Sequence, residues 1–218
     1  MTNAPTGPLD PPPTSPQTSP QTSPQASSST SSPSDDAAAE RRALRAALLA
    51  RRASLPQRAR LDARIEAELA ALLDWLPVRC LGFYWPIQQE FDARALVARW
   101  LAAAAGRDAA LPAVSRPGVP LDFHRWTPDT PMREGRYGIP VPDGTAAVTP
   151  DALLIPCVGF SAEKFRLGYG GGFYDRTLAA LPGKPVAIGI GYEDCRIALA
   201  PAAHDIPMDW MVTEAGRF

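Results

Sequence analysis

The chain has 218 residues, of which 45% are hydrophobic, and a formal net charge of −1. That is enough for one domain with a real core, and a charge so balanced excludes a molecule drawn as a whole to nucleic acid or an anionic membrane. No run of about 18 apolar residues offers a transmembrane helix, and the first residues lack the basic start and apolar core of a signal peptide. The three cysteines, Cys80, Cys157 and Cys195, have no metal-binding spacing. They read as reduced, mostly buried residues of a cytoplasmic protein.

Residues 1–36 hold Ser, Thr, Pro and Gln with almost nothing to bury, and "SPQTSPQTSPQA" (15–26) repeats a four-residue unit. Such a segment cannot offset its own ordering entropy and reads as a disordered, solvated tail. Its three aspartates meet no basic residue, so the remaining domain, 37–218, carries 22 basic and 20 acidic residues. The first expected helix is "SDDAAAERRALRAALLARRASL" (34–55), which opens on a Ser/Asp cap with acidic first turns. Arg41, Arg45 and Arg52 share one of its faces. Ser54 and Gln57 suggest a capping box for a second helix, 56–76, whose Leu61, Ile65, Leu69, Leu72 and Leu73 have amphipathic spacing.

The period then changes. "CLGFYW" (80–85), "AALPAV" (109–114) and "LDFHRW" (121–126) read as strands, with a helix at 93–105. "DALLIPCVGF" (151–160) is nearly all apolar, as in a central parallel strand covered on both faces. A helix at 172–181 and strands at 186–192 and 209–213 complete the alternation. The pattern predicts one α/β domain: a mostly parallel sheet with helices on both faces. Ligands in such folds bind beyond the carboxyl ends of the strands. The run "FRLGYGGGFYDRTLA" (165–179), with Gly168, Gly170, Gly171 and Gly172, falls at that end. A glycine loop feeding a helix presents free N–H groups and a positive dipole end, which suits phosphate. It matches neither common nucleotide fingerprint, since Phe173 and Tyr174 stand where a P-loop has Lys and Ser or Thr. A plain surface turn would need one or two glycines rather than four.

"IPCVGFSAEKFRLGYGGGFYDRTLA" (155–179) resembles the signature of the 5-formyltetrahydrofolate cyclo-ligase family, with Arg166–Arg176 matching throughout. "RRALR" (41–45), "FYWPIQQEFD" (83–92), "YGIP" (137–140) and "HDIPMDWMVTE" (204–214) extend the resemblance over residues 38–214. Ser161, Val141, Ala113 and Arg41 depart from residues common in the family. The resemblance implies an ATP-dependent ligase that cyclises 5-formyltetrahydrofolate to 5,10-methenyltetrahydrofolate, with Mg²⁺ as cofactor. It implies ATP contacts from Arg41, Arg45, Arg166, Leu167, Gly168, Tyr169, Gly170, Gly171, Gly172, Phe173 and Tyr174. Folate contacts would come from Trp85, Glu90, Tyr169, Gly170, Gly171, Gly172 and Phe173. Arg166 and Asp175 would be catalytic, and Asp175 and Asp205 would hold the metal. Without the family, Asp175 is equally a helix-start residue and Asp205 a turn residue. His124 and His204 read as ordinary surface residues and Arg52 as structural. The remaining readings are a non-catalytic nucleotide- or folate-binding relative and, by fold analogy alone, a sugar-phosphate isomerase or deaminase. The expected partners are small molecules, with no nucleic acid and no membrane, and the expected state is a monomer. Removing residues 1–36 is expected to change the unfolding free energy by less than about 1 kcal/mol, because little there can be buried; denaturant titration of the two forms checks it.

Overall fold

The computed structural model describes Met1 and residues 33–218. The expected tail lies outside the described residues, except that Pro33–Asp36 form the start of the first helix. That helix, α1, spans Pro33–Ala53, and α2 follows over Arg58–Trp75. The anticipated capping box is not formed. Ser54 Oγ donates back to the Arg51 carbonyl at 3.0 Å, and Gln57 precedes α2 in a left-handed conformation (φ 52°) without a side-chain cap. The sharp turn between the helices takes the Ser54 hydroxyl out of reach of α2.

Strand β1 (Cys80–Gly82) leads through a long loop to α3 (Arg94–Ala102), then β2 (Asp108–Ala113) and β3 (Asp122–Trp126). A hairpin of β4 (Met132–Glu134) and β5 (Pro140–Pro142) follows. The chain continues through β6 (Ala152–Pro156), β7 (Gly159–Phe160), β8 (Arg166–Leu167), α4 (Phe173–Ala180), β9 (Val186–Ile190), β10 (Trp210–Thr213) and β11 (Gly216–Arg217). One seven-stranded sheet runs β11-β10-β9-β6-β1-β2-β3. Its five central strands are parallel, and β3 and β11 pair antiparallel at the edges. This is the expected mostly parallel sheet.

The expected strand 151–160 is two strands. Beyond Leu153, which pairs with Gly82, β6 loses its β1 neighbour, and Pro156 has no N–H to donate. The chain therefore leaves the sheet, and β7 pairs with β8 in a separate ribbon. β1 likewise stops at Gly82 because Pro86 ends the run soon after. The hairpin, β8 and β11 were not anticipated, since strands of two or three residues carry no readable period.

Alternate residues of β6 feed two cores. Leu154 packs with α2 and α3 through Ile65, Leu69, Leu96 and Val97, while Leu153 and Ile155 pack with Tyr174 and Leu178 of α4. Helices thus cover both faces. Helix α1 lies apart, at the carboxyl end of the sheet, with Leu48 packed on Val158, Leu167 and Cys195. β2 and β6 flank β1, so the crossovers diverge there and leave a crevice at the ends of β1 and β6. Leu154 is fully buried at the centre of this arrangement. Leu154→Ala is expected to lower the unfolding free energy by about 2–5 kcal/mol, the cost of lost transfer plus the cavity left behind, read by urea titration.

Candidate active site

The crevice is a cavity of about 550 Å³. Its wall contains Tyr84, Trp85, Ile87 and Glu90 after β1, Pro156 and Arg166 around β6–β8, the run from Gly168 to Asp175, and Arg41 and Arg45 from α1. The hairpin contributes Arg136, Tyr137 and Val141, and the segment before β10 contributes His204 and Asp205. All the residues singled out from sequence gather here except Leu167, whose side chain turns into the core against Leu48. Of the departures from the family pattern, Arg41 and Val141 face the cavity, whereas Ser161 and Ala113 are not part of its wall.

The glycine run joins β8 to α4, with Gly170 (φ 95°) and Gly172 (φ 62°) in the left-handed region. A Cβ on Gly170 would lie 3.2 Å from the Arg45 guanidinium carbon, so the backbone there needs both the conformation and the space of glycine. The N–H groups of residues 168–172 find no acceptor among the described residues. Their carbonyls are engaged in part: Arg45 Nε donates to Gly168 O at 2.8 Å, and Arg176 donates to Gly171 O.

Arg41, Arg45 and Arg166 each have a distinct partner. Arg166 Nη2 lies 2.8 Å from Asp175 Oδ2, with the two side chains only 6% and 16% exposed. Arg166 also donates to Ile206 O at 3.2 Å, and Ile206 N donates to Asp175 Oδ1 at 3.2 Å. Arg41 bridges Ala200 O (2.8 Å) and Asp205 Oδ2 (3.2 Å). Burial, then the charges of Arg41 and Arg42, pull the Arg45 guanidinium below its usual range. Asp175 does sit in the first turn of α4. Its pairing with Arg166 means that Asp175→Asn would also break a buried ion pair, beyond any effect on the helix start. His204 is 76% exposed at the rim, as expected.

The other end is aromatic. The Arg94 guanidinium carbon lies 4.4 Å from the Trp85 ring centroid. Tyr137 is 63% exposed, has φ 64°, and meets Phe173 edge-on at 6.3 Å. Tyr169 Oη donates to Glu90 Oε1 at 2.6 Å and accepts from Arg52 Nη2 at 2.7 Å. Glu90 Oε2 accepts from Ile87 N at 2.9 Å. Burial raises the Glu90 carboxyl above the ordinary range, against the opposing bonds from Tyr169 and Ile87 and the Arg52 charge. Burial also holds Cys80 up at about 11 and Cys157 at about 12, so neither offers a thiolate at neutral pH.

Arg52, read from sequence as structural, is buried against the Tyr169 hydroxyl behind the cavity wall, and the Arg136–Tyr137 hairpin tip joins the wall without having been singled out as a site. The face shared with Arg41 and Arg45 was the signal for the first. For the second only "YGIP" hinted. Among the described residues there is no cluster of three His, Cys, Asp or Glu side chains, and no helix long and apolar enough to cross a membrane.

The family model described as 5-formyltetrahydrofolate cyclo-ligase matches residues 37–214. The chain is 39% identical over 95 residues to a 5-formyltetrahydrofolate cyclo-ligase of Haemophilus influenzae, a match spanning 40% of this chain and only about half (51%) of that protein. A protein of the same name from Mycolicibacterium smegmatis is 32% identical over 181 residues, covering 74% of this chain and 87% of the other. The solved 5,10-methenyltetrahydrofolate synthetase of Mycoplasma pneumoniae is similar with a TM-score of 0.66 at 25% identity, over 80% of this chain and 99% of that one. Its counterpart from Aquifex aeolicus has a TM-score of 0.66 at 29% identity, over 81% and 91%.

Because the folded state binds the Glu90 proton more tightly than the unfolded state, stability associated with Glu90 is greatest below the ordinary glutamate value of about 4.3 and falls as pH rises through the folded value. The thermal midpoint of the native protein relative to Glu90→Gln is therefore expected to fall with rising pH across that window. A relative midpoint that rises would mean that the hydrogen bonds outweigh burial.

Proposed function

The chain belongs to the 5-formyltetrahydrofolate cyclo-ligase family, and from that premise we propose that it converts 5-formyltetrahydrofolate and ATP into 5,10-methenyltetrahydrofolate, ADP and phosphate. The observation that carries the reading is the set of N–H groups at 168–172, without acceptors among the described residues, at a cavity walled by Arg41, Arg45 and Arg166. The γ-phosphoryl group passes from ATP to the formyl oxygen and leaves ADP, N10 attacks the formyl carbon and gives up its proton, and phosphate departs from that carbon. Phosphoryl transfer asks a protein mainly for positioning and for neutralisation of charge on the phosphate oxygens.

The glycine N–H groups cradle the phosphates, and the three arginines offer forks of donors that match phosphate geometry. Arg166, fixed by Asp175 and Ile206, holds its fork in one orientation. Tyr169, Phe173 and Tyr174 line the middle of the cavity, between the phosphates and the folate. Trp85 presents a flat face for the pterin, and Glu90 accepts its N–H groups. The donor set fits magnesium arriving on phosphate oxygens, because Asp175 and Asp205 supply two hard carboxylates beside the arginines, and this ion usually takes one or two carboxylates with phosphate and water. When bound there, magnesium would neutralise phosphate charge.

The direct test is absorbance of methenyl-folate from 5-formyltetrahydrofolate, with and without ATP and Mg²⁺. Turnover only with both supports the reading, whereas binding of the substrates without turnover would make the chain a non-catalytic relative. Arg45→Ala is expected to raise the KM for ATP on the order of tenfold, as the loss of a charge-assisted bond implies. The KM for folate and the circular dichroism should be unchanged. Equal effects on both substrates would remove Arg45 from the phosphate end.

A further inference from the structure

Arg52 is 2% exposed, yet among the described residues it pairs directly with no carboxylate. Its acceptors are Gln88 O (3.2 Å from Nε), Cys157 O (3.3 Å from Nη1) and the Tyr169 hydroxyl (2.7 Å from Nη2). The nearest opposite charge is one hydroxyl further on, where Tyr169 meets Glu90. An arginine can only donate and a carboxylate can only accept. The Tyr169 proton therefore has one place to be, on the side of Glu90. Gln88 (φ 45°) and Gln89 (φ 60°) are consecutive left-handed residues just before Glu90. Arg52 holds the carbonyl of the first and Arg58 that of the second. Strain of this kind persists only where the surroundings over-determine it.

We propose that Arg52 is a positioning residue of the folate end: through the Tyr169 hydroxyl and the Gln88 carbonyl it keeps Glu90 ionised and aimed into the cavity. This rests on the reading of Glu90 as a folate contact. The ionisable groups around Glu90 are Arg52 from α1, Tyr169 from the glycine run, Tyr84 after β1, Tyr174 from α4 and Cys157 after β6. Of these, only Arg52 carries positive charge, so its contribution has no substitute among them. Helix α1 then serves both ends of the cavity, with Arg41 and Arg45 at the phosphate end and Arg52 beneath the carboxylate.

The test compares native protein, Arg52→Lys and Tyr169→Phe. Lysine keeps the charge but loses the planar fork, and phenylalanine keeps the ring but loses the relay. Both variants are expected to raise the KM for 5-formyltetrahydrofolate on the order of tenfold, and Arg52→Lys should leave the KM for ATP within about twofold. The acid limb of the folate kcat/KM profile should move to higher pH in both. The double variant should be no worse than the poorer single one, since one chain of bonds is cut once. Equal losses for both substrates in Arg52→Lys, or an unmoved acid limb in a folded variant, would overturn the proposal and return Arg52 to a packing role. If Arg52→Lys gives no melting transition, Tyr169→Phe decides by the acid limb, which loss of a direct substrate contact alone would not move. A second readout needs no turnover: the pH at which thermal stability reports Glu90 should rise in either variant. If the native protein does not turn over folate but that pH still moves, the reading of the function fails while the link from Arg52 to Glu90 stands.

Discussion

Arg166 and Asp175 face each other across the glycine run, and their ion pair is the constraint on which the cavity's shape depends. Between them lie residues 167–174, four of them glycines. Such a loop has more backbone freedom to lose than almost any other of its length. The pair closes its two ends, and both members also bond the backbone of Ile206, which follows Asp205. Three segments distant in sequence are thereby tied at one point. A buried pair adds little net stability, because desolvation offsets the attraction. Its effect lies in geometry: with the ends fixed, the unpaired N–H groups are held in one direction.

Helix α1 complements this loop. Arg41, Arg45 and Arg52 are spaced by four and seven residues and so lie on one face, spread over roughly 16 Å at 1.5 Å per residue. Each reaches a different segment: the 200–205 loop, the Gly168 carbonyl, and the Tyr169 hydroxyl with the Cys157 carbonyl. Burial first, and then the neighbouring charges of Arg41 and Arg42, hold the Arg45 guanidinium below its usual range, so this basic face is a poor neighbour to itself. The carbonyls and carboxylates around them compensate only in part, and an anion entering the cavity would complete the match. The fold supports this by leaving α1 off both sheet faces, at the one edge where its basic side meets a crevice.

The scaffold was legible in the sequence for a plain reason. Long apolar runs and helical spacing, as in Leu69, Leu72 and Leu154, are dictated by burial, and burial shows in a single chain. The position of the glycine run beyond a central strand was legible too, because alternating strands and helices allow few topologies. What did not show depends on partners far along the chain. Arg52 is a surface-type residue by composition, and only the arrival of Gln88, Cys157 and Tyr169 around it makes burial affordable. The Arg166–Asp175 pairing was hidden behind the simpler reading of an acidic helix start. The split of the 151–160 run followed from the shortness of β1, a property of a different segment. The hairpin bearing Tyr137 is too short for any pattern.

The costly features of this molecule are not scattered. Among the described residues six non-glycine positions have positive φ, and three of them, Gln88, Gln89 and Tyr137, lie in the two loops that wall the cavity. Glu90 and Arg166, two of the few buried charged residues, line it, and Arg52 sits directly beneath. Tyr137 combines a strained backbone with an exposed ring at the mouth. Away from the crevice the sheet and its helices follow the ordinary rules of pattern and packing. A chain selected for stability alone would have no reason to concentrate strain, buried charge and glycine in one place. Their convergence at the carboxyl ends of β1 and β6 argues that the scaffold is built to hold them there, and that the shape of this cavity is what the rest of the fold supports.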